Sequence, residues 1–159
     1  LSVAYYERIW MWLAGALIAV FVGAILLTTG LQAIHPPSHV ETIDPTKVND
    51  DPEFGKPGVT VRADGSVVVV LVAQLFSFNP DPIEVPVGKP VTFRLTSADV
   101  IHGFQIVGTN ANAMVVPGYV SQFTVTFDRA GEYLIACNEY CGVGHHMMTG
   151  KLVAKKAAQ

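Results

Sequence analysis

From Ile9 to Leu31 the chain runs for 23 residues without a single charge (IWMWLAGALIAVFVGAILLTTGL). At about 1.5 Å per residue a helix of that length rises roughly 34 Å, enough to cross a hydrocarbon core of about 30 Å. Tyr5, Tyr6, Trp10 and Trp12 gather at its first end, where amphipathic rings favour the headgroup layer. A secretory signal peptide is the rival reading, but it needs a shorter apolar core and a small-x-small cleavage site, which Gln32-Ala33-Ile34-His35 does not supply. Residues 1–34 are therefore expected to form one retained transmembrane helix. Gly15, Ala19 and Gly23 recur at four-residue spacing, a pattern that admits a second helix closely and is also common in any membrane helix. Arg8 precedes the run and five carboxylates with two lysines follow it between His35 and Gly58, which weakly favours a cytoplasmic N-terminus.

The remainder reads differently. His35 to Gly58 is rich in Pro, Asp and Gly and lacks apolar periodicity, so 35–58 is expected to be a linker. From Val59 onward short β runs alternate with turn signals, and no helix-length periodic segment follows Leu31. Asp64-Gly65 marks a two-residue hairpin between Val59–Ala63 and Ser66–Leu75. Val67 to Val72 is wholly apolar, as suits a strand covered on both faces. Further strands are expected at Ile83–Val87, Val91–Leu95, Phe104–Val107, Phe123–Phe127, Tyr133–Ala136 and Lys151–Lys155, which together make 59–159 one antiparallel sandwich or barrel. The net charge is −3 and no Lys/Arg-rich run occurs, which argues against nucleic acid as a partner.

The only two cysteines open a dense cluster, Cys137-Asn-Glu139-Tyr-Cys141-Gly-Val-Gly-His145-His146-Met147-Met148. Thiolate, imidazole and thioether are the soft and borderline donors that suit copper. A structural zinc site wants four firm Cys/His ligands and would leave the methionines idle. A disulfide would close only a small loop and leave the histidines and methionines unexplained. A mononuclear electron-transfer copper needs one cysteine, and here there are two.

This cluster resembles the Cys-x-Glu-x-Cys-x-x-x-His-x-x-Met motif of the binuclear CuA domain in subunit II of haem–copper cytochrome c oxidases. Ser97-Ala-Asp99-Val-Ile-His102-Gly-Phe104 is similar to that family's upstream histidine segment, and Pro82-Ile-Glu-Val-Pro86 to a strand start there. The resemblance covers about Val67 to Val153 and implies an all-β cupredoxin-like Greek-key fold behind the transmembrane helix. It implies that Cys137 and Cys141 bridge two coppers, that His102 and Met148 complete one, and that His145 and the Glu139 carbonyl complete the other. His145 and Met148 are preferred to His146 and Met147 by family spacing alone. Gly142 and Gly144 are expected to supply unusual backbone angles in the ligand loop. Whether the Glu139 side chain reaches a magnesium site or is a solvated acid stays open, as does whether Asp99 hydrogen-bonds near His102 or is an ordinary turn acid.

Phe76 and Phe78 fall where the family carries aromatic residues at the electron-entry surface, although alternate Phe in a strand is also ordinary core packing. Members with a single helix in this subunit carry an acid near a proton path, which places Glu7 there as an alternative to a plain interfacial charge. The implied function is subunit II of a terminal oxidase in the plasma membrane, its copper domain outside. It would accept electrons from reduced cytochrome c and pass them to haem in subunit I. The rival from another class is a membrane-anchored, thioredoxin-like copper chaperone, whose cysteines would sit early, at a strand-to-helix turn.

Overall fold

The structure is a computed structural model that describes residues 2–32 and 41–156. It divides into two compact units, Leu1–His39 and Val40–Gln159. Residues 35–40 of the expected linker lie outside the described residues.

The first unit holds α1, a 30-residue α-helix over Val3–Gln32. Its apolar side chains, among them Trp12, Leu17, Phe21 and Leu26, are exposed in every direction. A helix apolar all round has no solvent face and needs an apolar environment on each side. This one is long and apolar enough to cross a membrane.

Among the described residues the second unit holds eleven strands: β1 (Glu41–Thr42), β2 (Gly58–Val61), β3 (Val67–Gln74), β4 (Ser77–Asn79), β5 (Ile83–Pro86), β6 (Pro90–Ser97), β7 (His102–Ile106), β8 (Asn112–Val115), β9 (Tyr119–Thr126), β10 (Gly131–Ala136) and β11 (Thr149–Lys155). One sheet runs β1-β9-β6-β3-β2 with β4 also on β3, and the other runs β5-β11-β10-β7-β8. Most neighbours are antiparallel, as expected, but β3 pairs with β6 and β5 with β11 in parallel. After β4 the chain crosses to the second sheet for β5 and returns for β6, so the strands that meet are separated by a crossover. Local turn signals report only consecutive neighbours.

Between the sheets lies a core of Leu71, Ile83, Phe93, Leu95, Phe104, Ile106, Phe127, Ile135 and Leu152. Phe93 stacks on Phe123 at 5.2 Å between centroids, and Phe104 meets Phe78 edge to face at 5.5 Å, geometries in which the ring quadrupoles attract.

Strand β3 is covered on both faces, and its second cover corrects the linker expectation. Val67, Val69 and Leu71 point into the main core, while Val68, Val70 and Val72 pack against Val48 and Phe54. Residues 41–58 are therefore part of the β unit. Asp51 Oδ1 accepts the N–H groups of Glu53 and Phe54, each at 2.8 Å, and turns Phe54 inward. Arg94 of β6 donates to Glu53 at 2.7 Å and to Glu41 at 2.6 Å, clamping both ends of the segment to the sheet. The β2–β3 hairpin is present, but its turn is longer than expected. Arg62 and Ser66 close it at 2.8 Å and Gly65 takes φ +81°. That is a three-residue loop with the positive-φ residue last.

Candidate metal centre

The cysteine cluster connects β10 to β11. These strands pair from Gly131↔Ala154 to Ala136↔Thr149, so the residues just beyond them, Cys137 and Met148, face each other at the open end of the hairpin. The Cys137 N–H donates to the Met148 carbonyl at 3.1 Å and closes the base of the loop. A short 3-10 turn over His145–Met147 then sets which neighbour faces inward. Met148 is 1% exposed and Met147 67%, while His145 is half-buried and His146 exposed.

His102 opens β7, which pairs with β10 through Ile106↔Ile135 and Gln105↔Ala136. Its ring is fully buried beside the sulfurs. One ligand atom each from His102, Cys137 and Cys141 lies within 4.8 Å of the other two. The two cysteines are free thiols with Sγ atoms 3.8 Å apart. Cys141 Sγ is 3.7 Å from His145 Nδ1 and 3.7 Å from Met148 Sδ, and Cys137 Sγ is 3.2 Å from the Glu139 carbonyl oxygen. The Glu139 side chain itself is exposed.

The orientation of His102 follows from its neighbour. Its Nε2 lies 2.8 Å from Asp99 Oδ1, and an ionised carboxylate only accepts, so Nε2 carries the hydrogen and Nδ1 presents a lone pair. That Nδ1 is a buried side-chain atom with no hydrogen-bond partner among the described residues. Buried polar atoms are almost always satisfied, and an orphan beside two thiols fits a metal ligand whose partner is a cation. Burial raises the affinity of Asp99 for a proton, but hydrogen bonds from His102 and from the Leu75 and Val100 N–H groups outweigh it and hold the carboxyl below its usual range. Burial, and then Cys137 alongside, push the Cys141 thiol up to about 11, so at neutral pH a bound cation has to displace its proton. The donor set is thiol, imidazole, thioether and carbonyl, which suits copper.

Several expectations need correction here. Phe78 is 3% exposed and belongs to the core, so of the expected electron-entry pair only Phe76, at 38%, reaches the surface. Gly142 has φ +127°, but Gly144 has φ −89°, which any residue adopts. Gly144 is favoured instead by space, since a Cβ there would lie 2.5 Å from the Phe76 ring and would have to displace it. The chaperone architecture does not fit: the cysteines lie between two strands, and no α-helix follows Gln32 among the described residues. Glu7 lies exposed on α1. Two features of the site carry no local sequence signal. A Cβ on Gly103 would meet the Glu139 nitrogen at 2.7 Å, so the ligand loop lies directly on β7, and Asn138 donates to Asn112 at 3.1 Å to tie that loop to β8. The Gly after His102 was visible, but nothing local indicated which backbone would cross it.

Known proteins share the sequence and fold of this chain. Residues 71–155 match the family model for the periplasmic domain of cytochrome c oxidase subunit II. A cytochrome c oxidase subunit 2 of Thermus thermophilus is 40% identical over 159 residues, covering 98% of this chain and 95% of that protein. Among solved structures, a chain of a haem–copper terminal oxidase dimer superposes with a TM-score of 0.78 at 31% identity, covering 94% of this chain and 99% of that one. The periplasmic domain of subunit II of cytochrome oxidase from Bradyrhizobium japonicum, at 18% identity and a TM-score of 0.53 over 57% of this chain and 84% of that one, shares the cupredoxin-like fold. The chain thus belongs to the cytochrome c oxidase subunit II family, and is a subunit of a haem–copper oxidase with an N-terminal helix fit to anchor it in a membrane.

Proposed function

We propose that this chain carries a binuclear copper centre of the CuA type, accepts single electrons there from reduced cytochrome c, and passes them to haem in subunit I. Cys137 and Cys141 hold both metals, with His102, His145, Met148 and the Glu139 carbonyl completing the set. When bound, copper held by these residues would supply one-electron redox chemistry. The observation that carries the reading is the placement of two buried free thiols 3.8 Å apart beside a buried, unpartnered imidazole nitrogen. The chain's part is to hold that set rigid, which it does by placing His102 on a strand end and the rest in a loop closed at its base.

Around the loop several apolar side chains reach the surface beside the exposed Asn138, Glu139 and His146. Leu75, Phe76, Val100, Ile101, Tyr140 and Val143 are exposed. They occupy segments that touch one another: Leu75 and Phe76 lie against Gly142, and the Leu75 N–H donates to Asp99. This patch, Phe76 included, supports docking of an electron donor. The copper domain lies on the extracytoplasmic side of the plasma membrane, α1 in lipid with its N-terminus cytoplasmic, and Glu7 near a proton path. Glu139 remains available to a magnesium ion shared with the large subunit.

The test is rapid mixing of reduced cytochrome c with the assembled oxidase. Oxidation of the donor should be fast in the parent complex and lost in Cys137→Ser or Cys141→Ser with the haems intact. Unimpaired donor oxidation in both variants would place electron entry elsewhere. Unchanged proton uptake in Glu7→Gln would remove Glu7 from the proton path.

A further inference from the structure

Asp99 is not among the expected ligands, yet its carboxylate joins two segments that enclose them. Oδ1 accepts the Nε2 hydrogen of His102 at 2.8 Å and the Val100 N–H at 2.6 Å, with Ser97 Oγ 3.3 Å away. Oδ2 accepts the N–H of Leu75, 24 residues earlier, at 2.7 Å. Leu75 leads into Phe76, whose ring lies against Gly142 and Gly144 of the ligand loop. A turn acid needs only the contacts to Val100 and Ser97. The other two reach a fully buried imidazole and a distant strand end, and neither belongs to the turn.

We propose that Asp99 is a positioning residue for the metal centre, fixing the tautomer and direction of His102 with one oxygen and the seat of Phe76 over the ligand loop with the other. This deepens the copper reading and rests on it. The Nε2 of His102 has Asp99 as its hydrogen-bond partner in a fully buried ring, so without the carboxylate the ring is free to exchange tautomers or rotate. An anionic partner on the far nitrogen also makes the imidazole a stronger donor, which favours the more highly charged oxidised metal. The side chain is 26% exposed, so its outer edge meets solvent while its inner contacts stay dry.

The test uses the full chain in detergent, with Asp99→Ala and Asp99→Asn. In the metal-free parent, nitrogen NMR should show His102 in the single Nε2–H tautomer with a slowly exchanging proton. Asp99→Ala should mix the tautomers and speed that exchange by at least about tenfold. Loaded with copper, it should bind about 10–100-fold more weakly, the usual consequence of losing such a partner. Asp99→Asn keeps an acceptor for His102 but not the charge, so it should retain the tautomer and raise the reduction potential. Parent-like tautomer, exchange, copper affinity and potential in Asp99→Ala would overturn the proposal. Should that variant fail to fold, an unshifted potential in Asp99→Asn would do the same. A parent chain that takes up one copper instead of two refutes the binuclear reading, while the metal-free NMR comparison still decides the role of Asp99.

Discussion

Replacing Phe54 by Ala tests whether residues 41–58 are a working part of the β unit. Phe54 is 2% exposed and packs with Val48 on the outer face of β3, against Val68, Val70 and Val72. Phe-to-Ala changes in cores cost about 3–5 kcal/mol, the lost transfer energy plus a cavity that closes only in part. The Arg94 guanidinium lies 5.9 Å from the ring centroid, a cation–π contact that adds about 0.5–1 kcal/mol. This satellite cluster sits at the surface and can collapse more readily than the main core, so the lower end, about 3 kcal/mol, is expected. With a urea slope of about 1.5 kcal/mol per molar, the unfolding midpoint of the β unit should fall by about 2 M. The assay is a urea titration of the full chain in detergent, followed by the near-ultraviolet circular dichroism of the tyrosines. Val143→Ala, at an 89% exposed position, serves as the control and should stay within about 0.5 kcal/mol of the parent. A Phe54→Ala midpoint as close to the parent as the control's would refute the packing argument and restore the segment to a loose tether.

Arg94→Met should destabilise the metal-free protein by about 1–3 kcal/mol in the same titration, between the value of a surface pair and that of a buried one, because Glu41 and Glu53 lose a shared partner. The hydrogen bond from Arg94 lowers the Glu41 pKa below the ordinary 4.5, against the opposing effect of burial. The ion pair's stability is therefore present above about pH 4.5 and lost as pH falls through the lower folded value, and an acid titration of Arg94→Met should show that loss diminished. Gly144→Ala should push the Phe76 ring outward at a cost near about 1 kcal/mol, since the ring is part exposed and can move, and should slow donor oxidation more than it alters stability. Met148→Leu should keep the copper and shift its reduction potential, because a thioether would be the weakest donor of the set; complete loss of metal would contradict that ranking.

The parts of this molecule legible in the sequence were those whose signals are local. The ligand loop is compact, from Cys137 to Met148, so spacing alone brought its donors together. The 3-10 turn over His145–Met147 buries Met148 and exposes Met147. Val67 to Val72 announced a strand covered on both sides, but the cover was hidden: Val48 and Phe54 are isolated apolar residues among Asp, Pro and Lys, and two anchors make no periodicity. The alternation of Phe76 and Phe78 left open whether these rings form a surface patch or pack in the core, and the structure divides them, one ring out and one in. Which is which follows from the register Ala73↔Phe78 on β3, a pairing that local pattern does not specify. The parallel contacts of β3 with β6 and of β5 with β11 depend on crossovers between sheets and leave no mark at either strand.

The most direct measurement is the copper content of the purified, fully loaded chain together with its electron paramagnetic resonance spectrum. Two coppers per chain sharing one unpaired electron, with hyperfine lines from both nuclei and losing that signal in Cys137→Ser, is the predicted result. A single copper per chain with hyperfine structure from one nucleus would contradict the account.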